Sequence, residues 1–125
     1  LKLGLENHPE KTPQELLEKI GEGGRVGAAV DTGWFGTQGY DAAEALADLR
    51  DVLVVVHLKD VRAAGEHDTC AFGAGVVPVA RCLETLARVG YAGSIGVEHE
   101  PEDRDPTDEI RSSLQFVRDW TARRG

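Results

Sequence analysis

Four short apolar runs, Leu1 to Leu5, Val26 to Val30, Val52 to Val56 and Ser94 to Val97, each run up against one acidic or imidazole residue: Glu6, Asp31, His57 and Glu98. Runs of this length, uncharged except at Lys2, suit strands of a parallel sheet covered on both faces. Segments of helical periodicity lie between them. Thr12-Pro13-Gln14-Glu15 offers a capping hydroxyl, a proline at the first helical position and a glutamate behind it, and Gly21 follows the apolar positions Leu16, Leu17 and Ile20. Asp41-Ala42-Ala43-Glu44 opens a second helix carrying Leu46 and Leu49. Val77 to Val89 reads as a third, with Val79, Cys82, Leu83 and Leu86 on one side and Gly90 as its stop. Asp105-Pro106-Thr107-Asp108 opens a fourth, carrying Ile110, Leu114, Phe116, Val117 and Trp120. Strand is thus followed by helix four times.

Strands and helices alternating at this spacing form βαβ units with right-handed crossovers and a parallel sheet. In such proteins the carboxyl ends of the strands gather on one face, where ligands bind in open sheets and barrels alike. Side chains alternate along a strand, so Gly4 shares a side with Glu6, Gly27 and Ala29 with Asp31, and Gly96 with Glu98. The bulkier Leu3, Leu5, Val30, Ile95 and Val97 face the other way, and only His57 stands over large residues, Leu53 and Val55. Small residues beneath polar ones on one side and large ones on the other suit a barrel wall better than a flat sheet, whose two faces need equally bulky cover. A full (β/α)8 TIM barrel takes about 250 residues, and 125 leave room for four units. The expected fold is therefore α/β, with residues 1–125 forming one domain of four consecutive βα units, half of a TIM barrel. Such a half exposes two strand edges, so another half-barrel, in a longer polypeptide or in a second copy, is expected to cover them. The opening at Leu1-Lys2-Leu3, already inside a strand and without an initiating methionine, points to a longer chain.

Composition removes several function classes. A net charge of −8, with Arg50, Arg62, Arg81 and Arg88 scattered, gives no surface for nucleic acid. No apolar run approaches a membrane span, and no leader peptide is visible, so a cytoplasmic setting without membrane contact is expected. Two cysteines, Cys70 in a loop and Cys82 on an apolar helix face, make no disulfide scaffold.

Four stretches carry a resemblance. They are Leu5-Glu6-Asn7-His8 followed by Thr12-Pro13 and Glu15, then Val30-Asp31-Thr32-Gly33, then Val56-His57-Leu58-Lys59-Asp60, and last Gly96-Val97-Glu98-His99-Glu100. In this order, on successive strands, they resemble the carboxyl-terminal half of the sugar phosphate isomerase/epimerase family of xylose isomerase-like TIM barrels, over nearly the whole chain. The resemblance implies that Glu6, Asp31, His57 and Glu98 hold one divalent metal. Three carboxylates and one imidazole form an oxygen-rich set that favours Mn2+ or Mg2+, with Co2+ or Zn2+ as further candidates. Taken singly, each is also the kind of residue that caps a neighbouring helix or sits satisfied in a core. The resemblance further implies an isomerase or epimerase acting on a small sugar or keto-polyol. Glu6 and Glu98 would be its catalytic residues, moving a proton as general base and general acid through a metal-stabilised enediolate.

Parity extends the site by one layer to His8, Lys59 and Glu100, which with Trp34 form the expected substrate-binding set; His99 points away from it. Lys59 is equally placed to pair with Glu100 or Asp60, His8 to bond Asn7 or a loop carbonyl. Two departures from the ketose epimerases bear on substrate. Those enzymes carry a histidine three residues after the second-strand aspartate and an arginine six residues after the third-strand histidine; here those places hold Trp34 and Ala63. A free-ketose 3-epimerase is therefore not expected, and Trp34 and Phe35 serve either as an apolar pocket wall or as packing under the 36–39 turn. The 17 residues from Asp60 to Val76 read as a substrate-covering loop, with His67 and Asp68 as candidate extra ligands and Gly73-Ala74-Gly75 as a candidate anion cradle or a simple chain reversal. A metal-dependent dehydratase of inosose or dehydroshikimate type and a non-catalytic sugar-binding domain are the alternative functions. The half alone is expected to be poorly active.

Overall fold

The computed structural model describes residues 1–125, with strands β1 (Leu3–Glu6), β2 (Val26–Asp31), β3 (Leu53–Leu58), β4 (Asp60–Val61), β5 (Thr69–Cys70) and β6 (Ser94–Val97). The helices are α1 (Pro13–Ile20), α2 (Thr32–Thr37), α3 (Ala42–Asp48), α4 (Val79–Arg88) and α5 (Thr107–Arg124). Four strands make one parallel sheet in the order β1-β2-β3-β6, so each crossover returns to the adjacent place, as successive βα units of a barrel wall do. The structure is a partial barrel of four units.

Local chemistry sets the helix ends. Thr12 accepts from the Glu15 amide through Oγ1, Pro13 occupies the first turn, and Gly21 ends α1 at φ 66°, in the left-handed region open to glycine. Asp41 caps α3 through the Ala43 and Glu44 amides. Pro78 delays α4 to Val79, two residues later than its apolar pattern suggests, since its φ is fixed and its ring obstructs a preceding helical turn.

Ala28, Val30, Val56 and Leu58 face the helices and are fully buried against Phe35, Leu46, Leu83 and Leu86. The opposite face keeps Leu53, Val55 and His57 half-buried, matching the expected parity. The apolar side does not close at the margins. Leu3 is 61% and Ile95 41% exposed, because β1 and β6 are edge strands with one neighbour each. In α5 the expected apolar face is only partly used: Phe116, Val117 and Trp120 pack on the core, whereas Leu114 faces solvent.

Two elements differ from the sequence-based expectation. The stretch after β2 is a helix, α2, although Gly33 and Gly36 depress helix propensity there; Asp31 at its start and the burial of Phe35 offset that cost. The Asp60–Val76 segment, expected as a loop, has secondary structure of its own and contributes Val61, His67 and Asp68 to a cavity wall. It contains the antiparallel β4-β5 pair, and Val61, Thr69, Cys70 and Phe72 are buried. No helix is long and apolar enough to cross a membrane.

Candidate functional site

The carboxyl ends of the parallel strands are held together by buried polar side chains. Asn7, just beyond β1, is fully buried and clamps the end of β2: its Nδ2 donates to the Asp31 carbonyl at 3.0 Å and its Oδ1 accepts from the Asp31 amide at 2.8 Å. Thr32 performs the same task between β2 and β3, with Oγ1 donating to the Lys59 carbonyl at 2.8 Å and accepting from the Lys59 amide at 2.9 Å. The Glu98 amide completes the series by donating to the Leu58 carbonyl at 3.0 Å. Strand ends that would otherwise fray are thereby fixed relative to one another. Asn7 and Thr32 were not among the expected site residues.

On these ends Glu6, Asp31, His57 and Glu98 converge, with one donor atom from each lying within 4.8 Å of all the others. His57 Nδ1 lies 2.8 Å from Glu6 Oε1 and 3.0 Å from Glu98 Oε2. Since Nδ1 carries at most one proton, it cannot donate to both carboxylates at once. Asp31 divides its two oxygens. Oδ1 caps α2 by accepting from the Gly33 and Trp34 amides at 2.8 and 3.1 Å, while the buried Oδ2 lies 2.8 Å from Lys59 Nζ. The helix-capping role considered for these acids thus holds for one oxygen of Asp31, and the other faces a lysine. Crowded carboxylates around one over-subscribed imidazole fit a divalent cation, and these four residues could hold one.

Lys59 lies beside the cluster, only 3% exposed. Its Nζ is 2.8 Å from Asp31 Oδ2, 2.9 Å from Glu98 Oε1 and 2.6 Å from Glu100 Oε2. The contact with Asp31 is a buried ion pair. Burial disfavours the lysine's charge, but Asp31, Glu100 and Glu98 outweigh it and keep the amine protonated beyond its usual range. The Lys59 hydrogen bond in turn holds Glu100 below the ordinary carboxylate range. The expected outer layer therefore assembles, but its one cation is committed to three carboxylates.

A cavity of about 920 Å3 opens beside the cluster, with His8, Trp34, Lys59, His67, Glu100 and Glu102 among the residues on its walls. Its aromatic side is a cluster of tilted rings, with the His8 ring centre 3.8 Å and the His67 ring centre 5.0 Å from that of Trp34. Trp34 thus joins a pocket wall, whereas Phe35 packs in the core. Neither His67 nor Asp68 belongs to the ligand cluster. Asp68 is instead bound by Arg62 at 2.6 Å and Arg104 at 2.8 Å. His99 faces away as expected, 2.9 Å from Ser113 Oγ and stacked on Phe72. Gly73-Ala74-Gly75 does cradle an anion, but that anion is Asp60, whose carboxylate accepts from the amides of Gly73, Gly75 and Val77 at 3.0 to 3.1 Å.

Residues 1–120 match the family model for xylose isomerase-like TIM barrels. The L-ribulose-5-phosphate 3-epimerase UlaE of Escherichia coli ATCC 8739 is 38% identical over 74 residues, which span 58% of this chain and 26% of that enzyme. Among solved structures, a D-tagatose 3-epimerase-like protein superposes with a TM-score of 0.79 at 25% identity, over 98% of this chain and 47% of its own. A xylose isomerase domain protein from Alicyclobacillus acidocaldarius gives 0.73 at 27% identity, over 98% and 51%. The chain thus spans about half the length of these solved relatives.

Proposed function

Because this chain belongs to the xylose isomerase-like TIM barrel family, we propose that it supplies the metal-holding and proton-transferring side of an isomerase or epimerase for a small sugar or keto-polyol. The observation that carries this reading is the convergence of Glu6, Asp31, His57 and Glu98 to within 4.8 Å. The sugar epimerases among the relatives support it. The four residues would hold one divalent ion, with the oxygen-rich donor set favouring Mn2+ or Mg2+. Such an ion, when bound, polarises a substrate carbonyl and stabilises the negative charge that develops as a carbon-bound proton leaves.

The chain's own residues divide the remaining work. Glu6 and Glu98 come from β1 and β6, at opposite margins of the sheet, and reach His57 from either side. One would take a proton from carbon and the other deliver one to the neighbouring carbon or the opposite face, as base and acid. Asp31, pinned by Asn7 and by its cap on α2, would provide the rigid corner. His8, Trp34 and Glu100 would contact the sugar along the cavity wall, with Lys59 holding Glu100 in place. A second half-barrel, in the same polypeptide or in another copy, would cover the free edges of β1 and β6 and complete the pocket.

The test uses the polypeptide that carries this chain. Bound metal is measured first, and then deuterium uptake from solvent into ketoses and keto-polyols. We expect about one bound divalent ion per site and exchange at one substrate carbon, lowered about 100- to 10,000-fold in Glu6→Gln and Glu98→Gln. Loss of water from the substrate would favour the dehydratase alternative. Absence of bound metal, with ligand affinity unchanged in Glu6→Gln, would leave a sugar-binding domain.

A further inference from the structure

Of the chain's lysines and arginines, Lys59 alone forms an ion pair with any of the four candidate metal ligands, and it does so with two of them. Its Nζ lies 2.8 Å from Asp31 Oδ2 and 2.9 Å from Glu98 Oε1. Oδ2 is also the oxygen that Asp31 could offer an ion, since Oδ1 already accepts from the Gly33 and Trp34 amides. The ammonium thus stands where positive charge is required. Three carboxylates gathered with His57 inside 4.8 Å repel one another unless a cation offsets them, and a fully buried Asp31 needs a charged partner.

The same lysine has a second seat on the cavity side. Its Nζ is 2.6 Å from Glu100 Oε2 and 5.7 Å from the centre of the Trp34 ring. Glu100 is itself fixed there, because its amide donates to Thr69 Oγ1 at 3.1 Å. The stem between the two seats is held. Thr32 Oγ1 binds the Lys59 amide and carbonyl, and the side chain from Cβ to Cδ passes closely over Gly33. Only the last bonds of the side chain are left to turn the ammonium from one seat to the other. We propose that Lys59 is an internal competitor of the divalent ion, standing on Asp31 and Glu98 in the metal-free chain and withdrawing onto Glu100 and Trp34 when metal binds. Repulsion between the ammonium and a divalent ion on the same oxygens drives the withdrawal. The lysine therefore lowers metal affinity. Groups that bond to metal ligands ordinarily do the opposite, and their loss weakens binding by about 10- to 100-fold. The inference rests on the metal reading above and gives Lys59 a positioning role within it.

The experiment measures Mn2+ affinity of the polypeptide that carries this chain, by competition with a fluorescent chelator, in the wild type, Lys59→Met, Glu100→Gln and the double variant. We expect Lys59→Met to bind Mn2+ about tenfold or more tightly than the wild type. Glu100→Gln removes the second seat and should bind Mn2+ more weakly, and that loss should largely vanish in the Lys59→Met background. Equal or weaker binding by Lys59→Met, or a Glu100→Gln loss as large without the lysine as with it, would overturn the inference. A crystal structure of the Mn2+-loaded wild type decides the same point if Lys59→Met does not fold. Lys59 Nζ should there be beyond hydrogen-bond distance of Asp31 Oδ2 and Glu98 Oε1 while keeping Glu100, and either contact retained beside the bound ion would contradict the proposal. Affinities that move as expected, without solvent deuterium exchange in any ketose or keto-polyol, would leave the inference standing and remove the isomerase reading. Mn2+ bound with an affinity that Lys59→Met does not raise, together with exchange, would do the reverse. No Mn2+ bound by any of the four proteins would remove both.

Discussion

The side chain of Lys59 crosses directly over Gly33. A methyl group placed on that glycine would lie 2.5 Å from Lys59 Cγ and Cδ and 2.8 Å from its Cβ, so the lysine reaches the acidic cluster through a slot that only glycine leaves open. Gly33→Ala pits two effects against each other. Alanine in place of glycine gains up to about 1 kcal/mol of helix propensity in α2, while overpacking against a buried side chain costs roughly 1–3 kcal/mol. The steric term should win, since Lys59 is also anchored at its ammonium and its backbone. Urea denaturation should place the variant below the wild type, and an equal or higher midpoint would show that the lysine can move aside.

Removing the lysine's charge is the more severe change. Lys59→Met would leave Asp31, fully buried, beside Glu98 and Glu100 without a counter-charge. Breaking a buried pair by deleting one partner costs about 3–5 kcal/mol. On the proposed metal reading part of that loss should return on adding Mn2+, because a cation held by Asp31 and Glu98 would replace the missing charge and bind only the folded state. Melting temperatures with and without Mn2+ measure both effects. A Lys59→Met protein as stable as the wild type without metal would rule out the ion pair as a structural requirement.

Asn7 carries a prediction independent of metal. Asn7→Ala removes both hydrogen bonds to Asp31 and strands a buried amide and a buried carbonyl at the end of β2. Each unsatisfied group costs about 1–3 kcal/mol, so a loss of roughly 2–5 kcal/mol is expected. Amide hydrogen exchange should localise the change to Asp31, and unaltered protection there would contradict the clamp.

The pH response of α3 follows from its cap. Burial works against the charge on Asp41, but the Arg81 hydrogen bond and the amides of Glu44 and Ala43 outweigh it and hold the carboxyl below its ordinary range. A carboxyl whose pKa falls on folding stabilises the fold above its unfolded value, about 3.9, and loses that contribution as pH falls through the lowered one. Asp41→Asn retains a capping oxygen without the titrating charge. The stability gap between wild type and D41N should be constant between about pH 5 and 7 and close below about pH 4. A gap unchanged down to about pH 2 would mean that the Arg81 pair contributes nothing.

The address of the site was legible in the chain because it rests on local rules. Apolar runs mark buried strands, side-chain parity assigns faces, and a polar residue closing each run falls on the one rim where parallel strands end. Those rules put Glu6, Asp31, His57 and Glu98 on one rim, set Lys59 and Glu100 one layer further out and turned His99 away. The caps at Thr12, Gly21 and Asp41 were equally readable, since a helix end involves residues only a few positions apart. Tertiary structure decided everything that depends on partners distant in sequence. Asn7 meets Asp31 across 24 residues and Thr32 meets Lys59 across 27, so neither clamp has a local signature. The same distance hid the burial that sustains α2 and the pairing of β4 with β5. It also hid the occupants of the anion cradles: a glycine turn states that amides are offered, but only folding brings Asp60 to accept them. Sequence alone thus determined which chemical groups reach the rim, because strand periodicity is local. The tertiary structure decided which of them remain free to meet a ligand, because charges and hydrogen bonds are satisfied by whatever the fold brings near.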